Sequence, residues 1–105
     1  MAVVLIGWVP SRGAYEAMED EVGRTAAPGC IVHTASEVDG KVRVVDVWES
    51  RQHIDQFFQS TLGRAFEKLG IEMDPPEMTE TFWIERGWSA TLAGRNRTFG
   101  RALPL

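Results

Sequence analysis

A chain of 105 residues, 44% hydrophobic and 25% charged, has the composition of one folded domain rather than of a disordered segment, with a core too modest to enclose a large ligand unaided. Residues 1–84 carry 7 basic and 14 acidic groups, while residues 85–105 carry 4 basic and 1 acidic. An acidic body of this kind argues against a nucleic-acid partner, because displacing counterions from phosphates needs clustered Lys and Arg.

Residues 3–9, VVLIGWV, read as a first strand, closed by Pro10 and followed by Ser11 as a helix N-cap. Over 14–26, Tyr15, Met18 and Val22 recur at helical spacing, with Glu16, Glu19, Asp20 and Glu21 largely on the opposite side. Pro28-Gly29 is expected to end that helix. Two β-rich runs then flank Asp39-Gly40, a dipeptide suited to a two-residue hairpin turn. Counting outward pairs Val38 with Lys41, Ala35 with Val44, His33 with Asp46 and Ile31 with Trp48. Strand alternation places Ile31, His33, Ala35, Val44, Asp46 and Trp48 on one face.

Ser50 caps a second helix whose Ile54, Phe57, Phe58, Leu62, Phe66 and Leu69 form an apolar stripe, stopped by Gly70, with Gly63 placed to bend or split it. Asp74-Pro75-Pro76 is a stiff connector, and 78–84 reads as a fourth strand. The order β-α-β-β-α-β predicts an α+β, ferredoxin-like fold, an antiparallel four-stranded sheet with both helices on one face. The domain spans 1–85, and 86–105 is a C-terminal arm or tail. With helices on one side only, the other sheet face is an apolar patch too large for a monomer. A homodimer with two sheets face to face is therefore expected. No membrane partner is expected, since the longest apolar run is too short to span a bilayer, and no signal peptide is visible. One cysteine, Cys30, cannot form an internal disulfide, and a cytoplasmic location follows as the expectation.

The segments Pro28-Gly29-Cys30-Ile31-Val32-His33 and Val45-Asp46-Val47-Trp48-Glu49-Ser50, with the Asp-Gly turn between them and the phenylalanine-rich stripe after them, carry a resemblance over residues 3–84. The chain resembles the dimeric α/β-barrel superfamily, in particular its small antibiotic-biosynthesis-monooxygenase-like members. The resemblance implies a dimeric α/β barrel and a range of chemistries: cofactor-independent quinone-forming oxygenases, haem-degrading oxygenases, polyketide cyclases and lactone isomerases. Fold does not choose among them. The haem-degrading relatives carry an asparagine on the first strand and a tryptophan and histidine on or near the second helix. Here Asn96 is the only asparagine, and residues 54–70 contain neither Trp nor His.

His33 and Asp46 are the candidate catalytic residues, because a carboxylate bonded to one imidazole nitrogen fixes the tautomer and frees the other to move a substrate proton. Trp48, Trp8, Ile31 and Val44 are the candidate substrate-binding residues, the two indoles forming a flat wall in a gap sealed by the partner. The catalytic reading requires imidazole and acid to face that gap rather than lie beneath the helices. The competing reading is a cross-strand pair worth about 0.2–1 kcal/mol. His53 is expected to face solvent, and His33, Asp46 and His53 lack a recognised metal-ligand spacing. No phosphate loop or dinucleotide fingerprint occurs, so no cofactor is expected. The third strand, Val42-Arg43-Val44-Val45-Asp46-Val47, lacks the basic and aromatic signature of RNA-binding modules with the same element order. The leading expectation is a cofactor-independent monooxygenase-like enzyme acting on an aromatic or polyketide-type substrate. A cyclase or isomerase with a His-Asp base, or a non-catalytic ligand-binding or structural dimer, are the alternatives.

Overall fold

The computed structural model describes residues 1–23 and 27–85. The anticipated C-terminal arm, 86–105, lies outside the described residues. The elements follow in the expected order: β1 (Ala2–Val9), α1 (Arg12–Val22), β2 (Cys30–Val38), β3 (Lys41–Trp48), α2 (Arg51–Phe57), a π-helical turn (Phe58–Leu62), α3 (Gly63–Leu69) and β4 (Glu77–Thr81). The strands form one antiparallel sheet in the order β2-β3-β1-β4. This is the ferredoxin-like arrangement.

Local chemistry explains most boundaries. Ser11 caps α1 by accepting the Ala14 N–H, and Ser50 caps α2 by accepting that of His53. α1 stops at Gly23 in the left-handed conformation, before the Pro28-Gly29 pair expected to end it. Asp39 and Gly40 both take positive φ, 50° and 81°, as the hairpin requires. Gly63 splits the second helix by allowing a wide turn: its N–H bonds the Phe58 carbonyl five residues back, and a Cβ there would lie 2.9 Å from that oxygen. β4 ends at Thr81, shorter than expected. Phe82 and Trp83 beyond it are 90% and 69% exposed.

Paired residues share a face, so the register assigns every strand side chain. Val3, Leu5, Val9, Val42, Val44, Asp46 and Trp48 lie on the side where α1 packs on β1 and β3, and α2 on β3. The core there centres on Val3, Trp48 and Ile54, with Leu5, Ala27, Cys30, Phe57 and Met78 packed around them. Truncating Ile54 to Ala is worth about 2–5 kcal/mol at a buried site of this kind. Val4, Ile6, Trp8, Val32, Val45 and Val47 lie on the opposite face.

One register shift corrects the hairpin count. A bulge between Cys30 and Val32 places Cys30, not Ile31, opposite Trp48, whereas His33 opposite Asp46 and Ala35 opposite Val44 stand as counted. An extra residue in one strand is invisible to counting from the turn.

Candidate active site

Asp46 is the buried charged residue of the described core, 6% exposed, in the middle of β3. The hairpin register sets His33 directly across from it, and the His33 Nδ1 to Asp46 Oδ1 distance is 2.7 Å. Two residues along β3, the Trp48 indole N–H donates to Asp46 Oδ2 at 3.2 Å. From α1, the Tyr15 hydroxyl meets His33 Nε2 at 2.7 Å, and Glu19, one helical turn further, places Oε1 3.7 Å from the same nitrogen. Both imidazole nitrogens are thus engaged.

The hydrogen bonding fixes the proton inventory. An ionised carboxylate only accepts, so Nδ1 carries the proton facing Asp46. In the neutral ring Nε2 therefore accepts from the Tyr15 O–H. In the imidazolium Nε2 donates to the Tyr15 oxygen, and the phenol proton turns to Glu19, with which Tyr15 also hydrogen-bonds. The hydrogen bond to Asp46 raises the His33 pKa, against the opposing effect of burial, with the charges of Asp46 and Glu19 adding to the rise. Burial above all, then Glu19, Asp46 and Glu16, pushes the Tyr15 phenol well above its ordinary range, so Tyr15 stays protonated. Burial, then Asp46, raises the Cys30 thiol to about 11, which leaves it an inert thiol.

The structure corrects where this centre faces. His33 and Asp46 do come together, but beneath α1 rather than toward a partner-sealed gap, so the catalytic expectation that required that gap fails, and any chemistry at this pair has to be a different one, on the helix side where Tyr15 and Glu19 meet the imidazole. Trp8 pairs with Arg43 on the opposite face, so it is no wall for this site. Trp48 is 4% exposed and packed against Phe57, with ring centroids 5.7 Å apart, which removes it as a substrate surface. Ile31 is displaced by the bulge, and Val44 stays on the helix side between Ala35 and Gly7. His53 does not project freely into solvent: its ring lies over Gly29, where φ is +87° and a Cβ would sit 2.4 Å from the imidazole, and Nδ1 meets Ser50 Oγ at 2.7 Å. By helical periodicity Tyr15 belongs to the core stripe and Glu19 to the far side, yet both meet His33. Their i,i+4 spacing, which puts a phenol and a carboxylate on one helix face, was the available signal.

Two clefts of about 520 and 430 Å³ lie elsewhere, one at Trp8, Pro10, Lys41 and Met73, the other at Met1, Val3, Ser50 and Met78. Neither contains His33. Among the described residues no group of three or more His, Cys, Asp or Glu is arranged to hold a metal ion. No described helix is long and apolar enough to cross a membrane.

With this geometry in place, solved structures supply the fold comparison. A candidate antibiotic biosynthesis monooxygenase from Chloroflexus aurantiacus superposes with a TM-score of 0.63 at 18% identity, over 82% of this chain and 98% of that one. The chain shares its fold with candidate antibiotic biosynthesis monooxygenases. A Mycobacterium tuberculosis protein matches at 19% identity and a TM-score of 0.58, over 84% of this chain and all of its own. A second candidate antibiotic biosynthesis monooxygenase, from Deinococcus radiodurans, matches at 13% identity and a TM-score of 0.58, over 85% of this chain and 100% of that one. No protein-family model and no curated protein sequence matches the chain.

Proposed function

We propose that the protein is a small-molecule enzyme whose reactive centre is Tyr15–His33–Asp46, and that it oxygenates an aromatic or polyketide-type compound without a cofactor. The observation that carries this reading is one partly exposed imidazole with a 2.7 Å contact on each nitrogen, to a buried carboxylate behind and a phenol in front. The fold likeness to two candidate monooxygenases supports the reaction class.

In this reading a substrate with an acidic ring C–H or O–H gives its proton to the Tyr15 oxygen as the Tyr15 proton passes to His33 Nε2. Asp46 then holds the resulting imidazolium. The electron-rich carbanion or enolate reduces O2 by one electron, and the radical pair joins through a C–O bond to give a peroxide anion, which takes the proton back from the His33 imidazolium by way of Tyr15 and becomes a hydroperoxide. Loss of water, with cleavage of O–O and departure of the second C–H proton, leaves a carbonyl. A CH2 group and O2 become C=O and H2O. The same proton relay supports a second reading, a cyclase or isomerase, in which the deprotonated substrate rearranges without O2.

The test is oxygen uptake and product mass with polyketide-derived phenols, using wild type and the His33→Ala, Asp46→Asn and Tyr15→Phe variants. One O2 consumed per product, abolished in His33→Ala, supports oxygenation. A product with no added oxygen establishes the second reading, and unchanged turnover in all three variants overturns both.

The apolar face bearing Val4, Ile6, Trp8, Val32, Val45 and Val47 fits a homodimer through that face. Trp8 and Val32 are 40% and 47% exposed on it.

A further inference from the structure

Trp48 is buried, yet its one polar atom takes no part in the proposed proton transfer. The ring is held by the Val3 and Ile54 core and by Phe57 of α2, tilted 37° against it. From that anchored position the indole N–H reaches Asp46 Oδ2, while Oδ1 faces His33. We infer that Trp48 is a positioning residue: it pins one carboxylate oxygen of Asp46 so that the other stays on His33 Nδ1, which holds Nε2 available to Tyr15.

What the indole restrains is rotation of the Asp46 carboxylate. A carboxylate with a single donor can swing about its Cβ–Cγ bond, and in a buried setting its second oxygen would be left without a partner, which is unfavourable. A donor on a side chain fixed by packing removes both that freedom and that cost, as supporting shells do around reactive groups. His33 is faced by Asp46 from β3 and by Tyr15 and Glu19 from α1, so orientation of Asp46 bears on the largest influence raising its pKa. The arrangement also links the packing of α2 to the reactive centre through Phe57. The catalytic meaning of this role rests on the function proposed above. The anchoring itself does not.

The experiment is a two-dimensional NMR titration of the full chain, following the Trp48 indole N–H and the His33 ring, in wild type and in Trp48→Phe. The expected result is that the indole resonance inflects at the pH where His33 titrates, because both report on one carboxylate. In Trp48→Phe the His33 pKa falls toward the ordinary imidazole value. An indole resonance that stays flat through the His33 titration overturns the inference, as does a folded Trp48→Phe protein with an unchanged or higher His33 pKa. Should Trp48→Phe not fold, the wild-type titration alone decides. Failure of the oxygen-uptake assay leaves this result untouched, so the two proposals fail separately.

Discussion

On the side covered by helices, the sheet buries a carboxylate between an imidazole and an indole. On the other side, the alternate residues of the same strands present Val4, Ile6, Trp8, Val32, Val45 and Val47. Leu5 and Ile6 are neighbours in β1, yet Leu5 packs with the helix-side core and Ile6 stands across from Val45 on the uncovered face. A strand apolar at both parities therefore meets two different surroundings. The buried carboxylate sits on the side packed by the described helices, and the side those helices leave bare is the one proposed above to pair with a second copy.

The contrast can be broken most sharply from the uncovered face. The wild-type protein is expected to sediment at twice the 11.7 kDa chain mass, and Val45→Asp at that mass itself. Val44→Asp is not the equivalent test, because Val44 lies on the helix side. A wild type that sediments as a folded monomer removes the association reading. On the covered face, Asp46→Ala leaves the Trp48 N–H and the His33 ring without their partner, and a loss of about 1–3 kcal/mol is expected in urea unfolding. Catalytic turnover, once a substrate is in hand, should fall by roughly 10²–10⁴ in His33→Ala.

Tyr15→Phe removes one hydrogen bond at a half-buried site, so stability should change by only about 0.5–1.5 kcal/mol while turnover falls far more. A proportionate loss of both would mark Tyr15 as structural. The smallest effect is the pH dependence. The His33 pKa is raised in the folded protein, so the pair's contribution is full below the unfolded value of about 6.5 and is lost as pH rises through the folded value. For a cross-strand pair with this exposure it amounts to about 0.2–1 kcal/mol, discounted for solvent screening. Urea midpoints measured across that range should decline in wild type and stay flatter in Asp46→Asn.

Much of this is legible in the sequence. Asp39-Gly40 determined the pairing of His33 with Asp46, because a two-residue turn allows one register, and Ser11, Ser50 and Gly70 marked helix ends through caps with a known mechanism. The bulge escaped because one extra residue in β2 leaves no mark in a pattern of alternation. The facing of the pair escaped for a related reason: β1 and β3 are apolar on both sides, so hydrophobicity alone could not say which side the helices cover. Tyr15 escaped because its ring satisfies the apolar stripe of α1 while its hydroxyl serves the centre.

The ring ¹⁵N spectrum of His33, recorded across its titration in wild type, Tyr15→Phe and Asp46→Asn, tests the central claim most directly. The expected result is a pKa above the ordinary imidazole value, a neutral form protonated on Nδ1, an Nε2 signal displaced in Tyr15→Phe, and a lower pKa in Asp46→Asn. A neutral ring protonated on Nε2, or a pKa that Asp46→Asn does not move, would contradict it.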